Sequence, residues 1–87
     1  MKEIVLEVLA SPGCHNCRLF EEWWQTVAKD WPNVKMVKKD ISTPEGQELA
    51  QKYMIMASPG MVLNGELFST GGVDKEKFIA KLHALAN

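Results

Sequence analysis

Cys14 and Cys17 are the only cysteines in this 87-residue chain, and they enclose His15 and Asn16. A thiolate is both a nucleophile and a leaving group, so two thiols one helical turn apart can attack a disulfide and then release the product by closing on each other. As a structural staple the pair would do little, because the loop it closes is very short and removes little entropy from the unfolded chain. As a closed zinc site it is incomplete, since such a site takes four ligands. His15 shares the turn with both cysteines and cannot converge with them, and the only other histidine, His83, falls in the last predicted helix. Redox chemistry is the expectation, with Cys14 as nucleophile, Cys17 as the more buried resolving thiol, and neither metal nor cofactor. His15 has two readings: a protonated imidazole that favours the Cys14 thiolate, or an exposed side chain that only tolerates the turn.

The flanking sequence explains why Cys14 is the better nucleophile. Ile4-Val5-Leu6-Glu7-Val8-Leu9 is β-branched and nearly continuous in apolar residues, the pattern of a strand covered on both faces. Ser11-Pro12-Gly13 breaks it. From Cys14 the period becomes helical, with Phe20, Trp24, Val27 and Trp31 at spacings of three and four, Leu19 and Trp23 on the adjoining row, and Pro32-Asn33 as the stop. The first cysteine therefore sits at a helix N-terminus, where unpaired N–H groups and the macrodipole favour an anion. The three tryptophans read as core rather than as a ligand box.

Val34 to Ile41 reads as a second strand. Ser42-Thr43-Pro44-Glu45 predicts a helix start with Ser42 as cap and Glu45 closing a Ser-x-x-Glu box. That helix carries Leu49, Ala50, Tyr53 and Met54 inward, with Gly46 weakening it. Ile55 to Pro59 is an irregular connection. Met61-Val62-Leu63, Asn64-Gly65 and Glu66-Leu67-Phe68 make a hairpin signal, because Asn-Gly suits a type I′ turn. After Thr70-Gly71-Gly72, Asp74 caps a last helix with Phe78, Ile79, Leu82 and Leu85 inward. Met54, Met56 and Met61 are expected to fill core. The order β-α-β-α-β-β-α predicts an α/β fold, a four-stranded mixed sheet flanked by helices.

Bulk properties narrow the function further. The length suits a single domain, residues 1–87. A formal charge of -1 gives no electrostatic footprint for nucleic acid or an anionic membrane, and Lys38-Lys39 reads as a solvated strand edge. The apolar stretch from Ile4 to Ala10 is too short and too charged for a membrane span or signal-peptide core. The expected location is cytoplasmic and the expected state monomeric.

The Cys-x-x-Cys on the first strand-to-helix turn, Ser58-Pro59 some forty residues on, and an Asn-Gly hairpin followed by Gly-Gly resemble the thioredoxin/glutaredoxin superfamily from about Ile4 to Leu85. The resemblance implies the thioredoxin fold, a cis Pro59 beside the cysteines, and substrate contacts at Gly13, His15, Ser58, Pro59 and Gly72. It departs from typical thioredoxins, which carry Trp-Cys-Gly-Pro-Cys, an added N-terminal strand and helix, and a buried Asp where Val8 stands here. It departs from typical glutaredoxins, which carry Cys-Pro-Tyr-Cys and a nearby lysine, although Gly71-Gly72-Val73-Asp74 resembles their glutathione-holding segment. A compact archaeal or bacterial thioredoxin-like protein of glutaredoxin size fits the mixture best. The resemblance implies a protein-disulfide reductase whose partners are disulfide-containing proteins and an electron donor, either a thioredoxin-reductase type enzyme or glutathione. Two other readings are a glutathione-dependent glutaredoxin-like enzyme and a non-catalytic redox sensor or metal-delivery module.

Overall fold

A computed structural model describes residues 2–87, leaving Met1 outside. The chain runs β1 (Ile4–Ala10), α1 (His15–Val27), a short 3₁₀ turn (Ala28–Asp30), β2 (Val34–Asp40), α2 (Pro44–Tyr53), β3 (Gly60–Leu63), β4 (Glu66–Thr70) and α3 (Lys75–Ala86). The expected order holds, and the four strands form one sheet in the order β2-β1-β3-β4. β1 pairs parallel with β2 and antiparallel with β3, which pairs antiparallel with β4.

Alternation along β1 and β3 divides the interior in two. Ile4, Leu6, Val8, Met61 and Leu63 meet Phe20, Trp24, Trp31, Phe78 and Leu82 beneath α1 and α3. Leu9 and Val62 point the other way and meet Leu49 and Ile55 beneath α2. Aromatic rings stack across the larger core, with Phe78 5.5 Å from Phe20 and 5.8 Å from Trp24. The tryptophans serve as core, as their spacing predicts, although Trp23 also lines a surface groove.

Three expectations are corrected by the structure. α1 stops at Val27 and tightens into the 3₁₀ turn, so Trp31 reaches the core from beyond the α-helix, its N–H donating to Ala28 O at 2.9 Å. Such tightening satisfies carbonyls that a helix end leaves open. Thr43, not Ser42, caps α2, and its Oγ1 accepts from the Gly46 N–H at 3.1 Å. Pro44 takes the first helical position and holds the preceding residue extended, which selects Thr43. Ser42 instead donates through both its hydroxyl and its backbone N–H to Asp40 Oδ1. Met54 and Met56 are not core: they are 80% and 96% exposed, whereas Met61 is fully buried. Met54 leaves the helix in the left-handed region (φ 55°), turning its side chain outward, and Ile55 takes the inward place. Lys38 and Lys39 lie on the edge strand as expected, and each also meets a carboxylate, at 2.6 Å from Glu21 and 3.1 Å from Glu7.

Gly46 turns out to be required rather than a weakness. A Cβ there would lie 2.9 Å from Ile41 N and closer still to the Asp40 carbonyl, where α2 leans on the end of β2. Ala normally stabilises a helix position relative to Gly by about 0.5–1 kcal/mol. Here Gly46→Ala is expected to destabilise by more than about 2 kcal/mol, because a backbone neighbour cannot yield as a side chain can. Urea unfolding of the two proteins measures the difference, and a stabilised variant would show that α2 is free to move away from β2.

Candidate active site

β1 ends at Ala10, and Ser11, Pro12 and Gly13 turn the chain into α1. Gly13 holds φ +74°, a backbone region that a Cβ disfavours, and the Cys14 N–H donates back to Ser11 O at 3.2 Å. This turn makes Cys14 the N-cap of α1: its Sγ accepts a hydrogen bond from the Cys17 N–H at 3.1 Å. The two sulfurs are joined as a disulfide with Cα atoms 5.3 Å apart, inside the usual range. Cys14 is half-buried and Cys17 only 5% exposed.

Two further loops close on this turn. Ser58-Pro59 leads into β3 with a cis peptide bond, and Pro59 is buried. The Ser58 hydroxyl donates to Cys14 Sγ at 3.4 Å and shares a second hydrogen bond of 2.8 Å with the Ser11 hydroxyl. From the loop after β4, the Gly71 N–H donates to Pro59 O at 3.0 Å, and Gly71 O accepts from Asn16 Nδ2 at 2.8 Å. Asn16 therefore ties the cysteine turn to the β4–α3 loop. Ser58 thus reaches Cys14, Pro59 follows it through the cis bond that the resemblance implies, and Gly13 shapes the cysteine turn. Gly72 is exposed and lines a groove of about 620 Å³ with Asn16, Leu19, Trp23, Val73 and Lys75, while Gly71 makes the hydrogen bonds.

His15 is exposed and its Nδ1 lies 3.2 Å from Arg18 Nη2, while Arg18 Nε is 3.9 Å from Glu22. The cleft on the sulfur side, about 470 Å³, is lined by both cysteines together with His15, Arg18, Glu21, Lys38 and Asp40. The hydroxyl and backbone N–H of Ser42 hold the Asp40 carboxyl below its usual value of 3.8, so Asp40 stays an anion near neutral pH. Among the described residues no polar or charged side chain is buried, and no group of three or more His, Cys, Asp and Glu side chains is arranged to hold a metal.

The profile of the thioredoxin domain matches residues 4–84. The chain belongs to the thioredoxin family. With the Cys14–Cys17 disulfide at its helix start, this thioredoxin-family chain is a thiol–disulfide oxidoreductase. It is 30% identical to a thioredoxin of Methanocaldococcus jannaschii over 79 residues, 91% of this chain and 92% of that one. Among solved structures it is similar to oxidised thioredoxin O2 from Arabidopsis thaliana, with a TM-score of 0.75, 19% identity, and coverage of 99% of this chain and 77% of that one. A chain in a complex of ferredoxin:thioredoxin reductase with thioredoxin f2 superposes equally well, with a TM-score of 0.75, 15% identity, and coverage of 99% and 80%.

Sequence reasoning missed three participants. Ser11 stood three residues before Cys14 and read only as a strand breaker. Asn16, inside the motif, was open to notice as a potential amide donor, but its acceptor lies 55 residues away. Glu21 follows Cys17 by four residues, and that spacing puts the two on one helix face.

The Asn16 tether can be tested directly. Asn16→Ala removes one exposed hydrogen bond, so stability is expected to fall by no more than about 1 kcal/mol. Amide exchange at Gly71 is expected to quicken while exchange in β1 stays unchanged. Unaltered exchange at Gly71 would show that the loop is held without Asn16.

Proposed function

We propose that this protein reduces disulfides in other proteins. The observation that carries the reading is the unequal placement of the two sulfurs, one half-buried at the helix cap and the other nearly sealed behind it. An incoming disulfide meets Cys14 first. The Cys14 thiolate attacks one substrate sulfur, a Cys14–substrate bond forms, and the first substrate thiolate leaves and takes a proton. Cys17 then loses its proton and attacks Cys14 Sγ, expelling the second substrate thiolate. Two electrons pass to the substrate, and the protein is left as the Cys14–Cys17 disulfide.

An electron donor must then restore the dithiol. A reductase is the better-supported donor, because one structural relative is a chain of a reductase–thioredoxin complex. The proposed substrate-contacting set is Gly13, His15, Ser58, Pro59 and Gly72. Gly13 and His15 line the cleft of the sulfurs, Gly72 the adjoining groove, Ser58 reaches Cys14 Sγ, and the buried Pro59 would act by holding Ser58 in place. The proposed setting is the cytoplasm, where a lone dithiol stays reduced, and the proposed unit is residues 1–87 as one domain. No helix among the described residues is long and apolar enough to cross a membrane.

Insulin reduction in dithiothreitol tests the assignment. Cys14→Ser is expected to fall to the uncatalysed background. Cys17→Ser is expected to accumulate a mixed disulfide on Cys14, seen as an adduct by mass spectrometry. Full activity of Cys14→Ser would overturn the proposed order of attack.

A further inference from the structure

Two hydroxyls, those of Ser11 and Ser58, stand beside the disulfide. The β1–β3 register pairs Leu6 with Leu63, Glu7 with Val62, Val8 with Met61 and Leu9 with Gly60. Two steps beyond the last pair, Ser11 and Ser58 face each other, their hydroxyl oxygens 2.8 Å apart. The two serines lie just beyond the paired strands, Ser11 directly after β1 and Ser58 two residues before β3. Ser58 also reaches Cys14 Sγ at 3.4 Å.

Each hydroxyl has one proton to donate. A thiolate at Cys14 would have none and would only accept. With the Ser58 proton directed at that sulfur, the 2.8 Å contact requires Ser11 to donate to Ser58. We propose that Ser11 and Ser58 form a directed hydroxyl relay, Ser11 to Ser58 to Cys14, which stabilises the Cys14 thiolate and so sets the nucleophile's reactivity. Ser58 touches the reacting sulfur; Ser11 is a positioning residue that acts through it. The inference deepens the reductase reading, because it names what holds the attacking thiolate.

The chemistry favours the reduced state. In the disulfide, Cys14 Sγ is a neutral, weak acceptor of two donors, the Cys17 N–H and the Ser58 hydroxyl. Opening the disulfide places a full negative charge on that sulfur, and hydrogen bonds to a charge are roughly twice as strong as neutral ones. A chain of two hydroxyls also polarises along its length, so Ser11 strengthens the bond that Ser58 makes. The other charged and titratable groups facing the sulfurs are His15, Arg18 and Glu21 from α1 and Lys38 and Asp40 from β2. None of them is altered by removing a serine hydroxyl, which makes the relay separable from the electrostatics of the cleft.

The readout is the pH midpoint for alkylation of Cys14 in the fully reduced, full-length protein, followed by mass spectrometry of the Cys14 peptide. Ser58→Ala is expected to raise the midpoint by about one pH unit, the worth of one hydrogen bond to a charged group. Ser11→Ala is expected to raise it by a smaller amount. The double variant is expected to match Ser58→Ala, because Ser11 has no route to the sulfur without Ser58. Ser58→Thr, which retains the hydroxyl, is expected to stay close to wild type. Above the midpoint, the Cys14–Cys17 potential of Ser58→Ala is expected to become more negative by roughly 30 mV, the equivalent of a tenfold change. An unchanged midpoint in Ser58→Ala, or a Ser11→Ala effect that adds fully to that of Ser58→Ala, would overturn the relay. Alkylation requires no protein substrate, so the relay stands or falls separately from the insulin result.

Discussion

The register of β1 against its two neighbours is the constraint on which the site depends. β1 lies between β2 and β3 and is covered on both faces, with Ile4, Leu6 and Val8 under α1 and α3 and Leu9 under α2. A slip of one residue would exchange these faces, sending Leu9 toward the larger core and Val8 toward α2. Asn64 pins the register at one end, since its N–H donates to Val5 O at 2.9 Å and its side-chain oxygen accepts from the Val5 N–H at 2.8 Å. At the other end the same register delivers the chain to Ser11 and Ser58. The cysteine turn and the cis-proline loop thus leave the same end of one strand pairing, where the Ser11, Ser58 and Asn16 hydrogen bonds join them.

That end of the sheet also fixes the character of the first sulfur. A helix cap is ordinarily a hydroxyl or carboxylate oxygen accepting from an N–H one turn on. Here a cysteine holds the position, and its ability to fill it depends on redox state. As half of a disulfide, Cys14 caps poorly; as a thiolate it becomes an anion facing the positive end of α1. The helix start and the reduced state therefore favour each other. Asn16 and Gly71 hold that helix start against the last loop.

Much of this was legible in the residues. Strand β1 announced itself by an apolar run, the hairpin by Asn64-Gly65, and both turn residues adopt the positive φ that a type I′ turn needs, 50° and 81°. The redox pair was legible because chemistry and position coincide in four consecutive residues. What escaped were contacts between segments far apart in sequence. Nothing in Ser42-Thr43-Pro44-Glu45 ranks two capping residues until the geometry of Pro44 is imposed, and nothing near Gly46 shows that α2 rests on the Asp40 carbonyl. Met54 and Met56 looked like core because methionine has no polar atom to betray exposure. Ser11 looked like punctuation because its partner is 47 residues distant.

Val8 carries the last consequence of this packing. Its side chain is buried in the apolar core beneath α1, at the place where the resemblance leads one to look for an acid. A carboxylate there would be costly to bury without a partner, and among the described residues the interior holds no charge at all. In the proposed reduction, Cys17 nonetheless has to lose a proton before it can release a product. It lines the cleft that Glu21, Lys38 and Asp40 also line. Two carboxylates stand there, but their situations differ. Asp40 is engaged by Ser42 and its proton affinity is lowered, whereas Glu21 sits one helical turn from Cys17 and is held by Lys38 at 2.6 Å. Moving charge from the core to the rim keeps the sheet wholly apolar beneath the site. It also leaves the charged groups nearest the cysteines, Glu21, Lys38 and Asp40, in the cleft that both cysteines line.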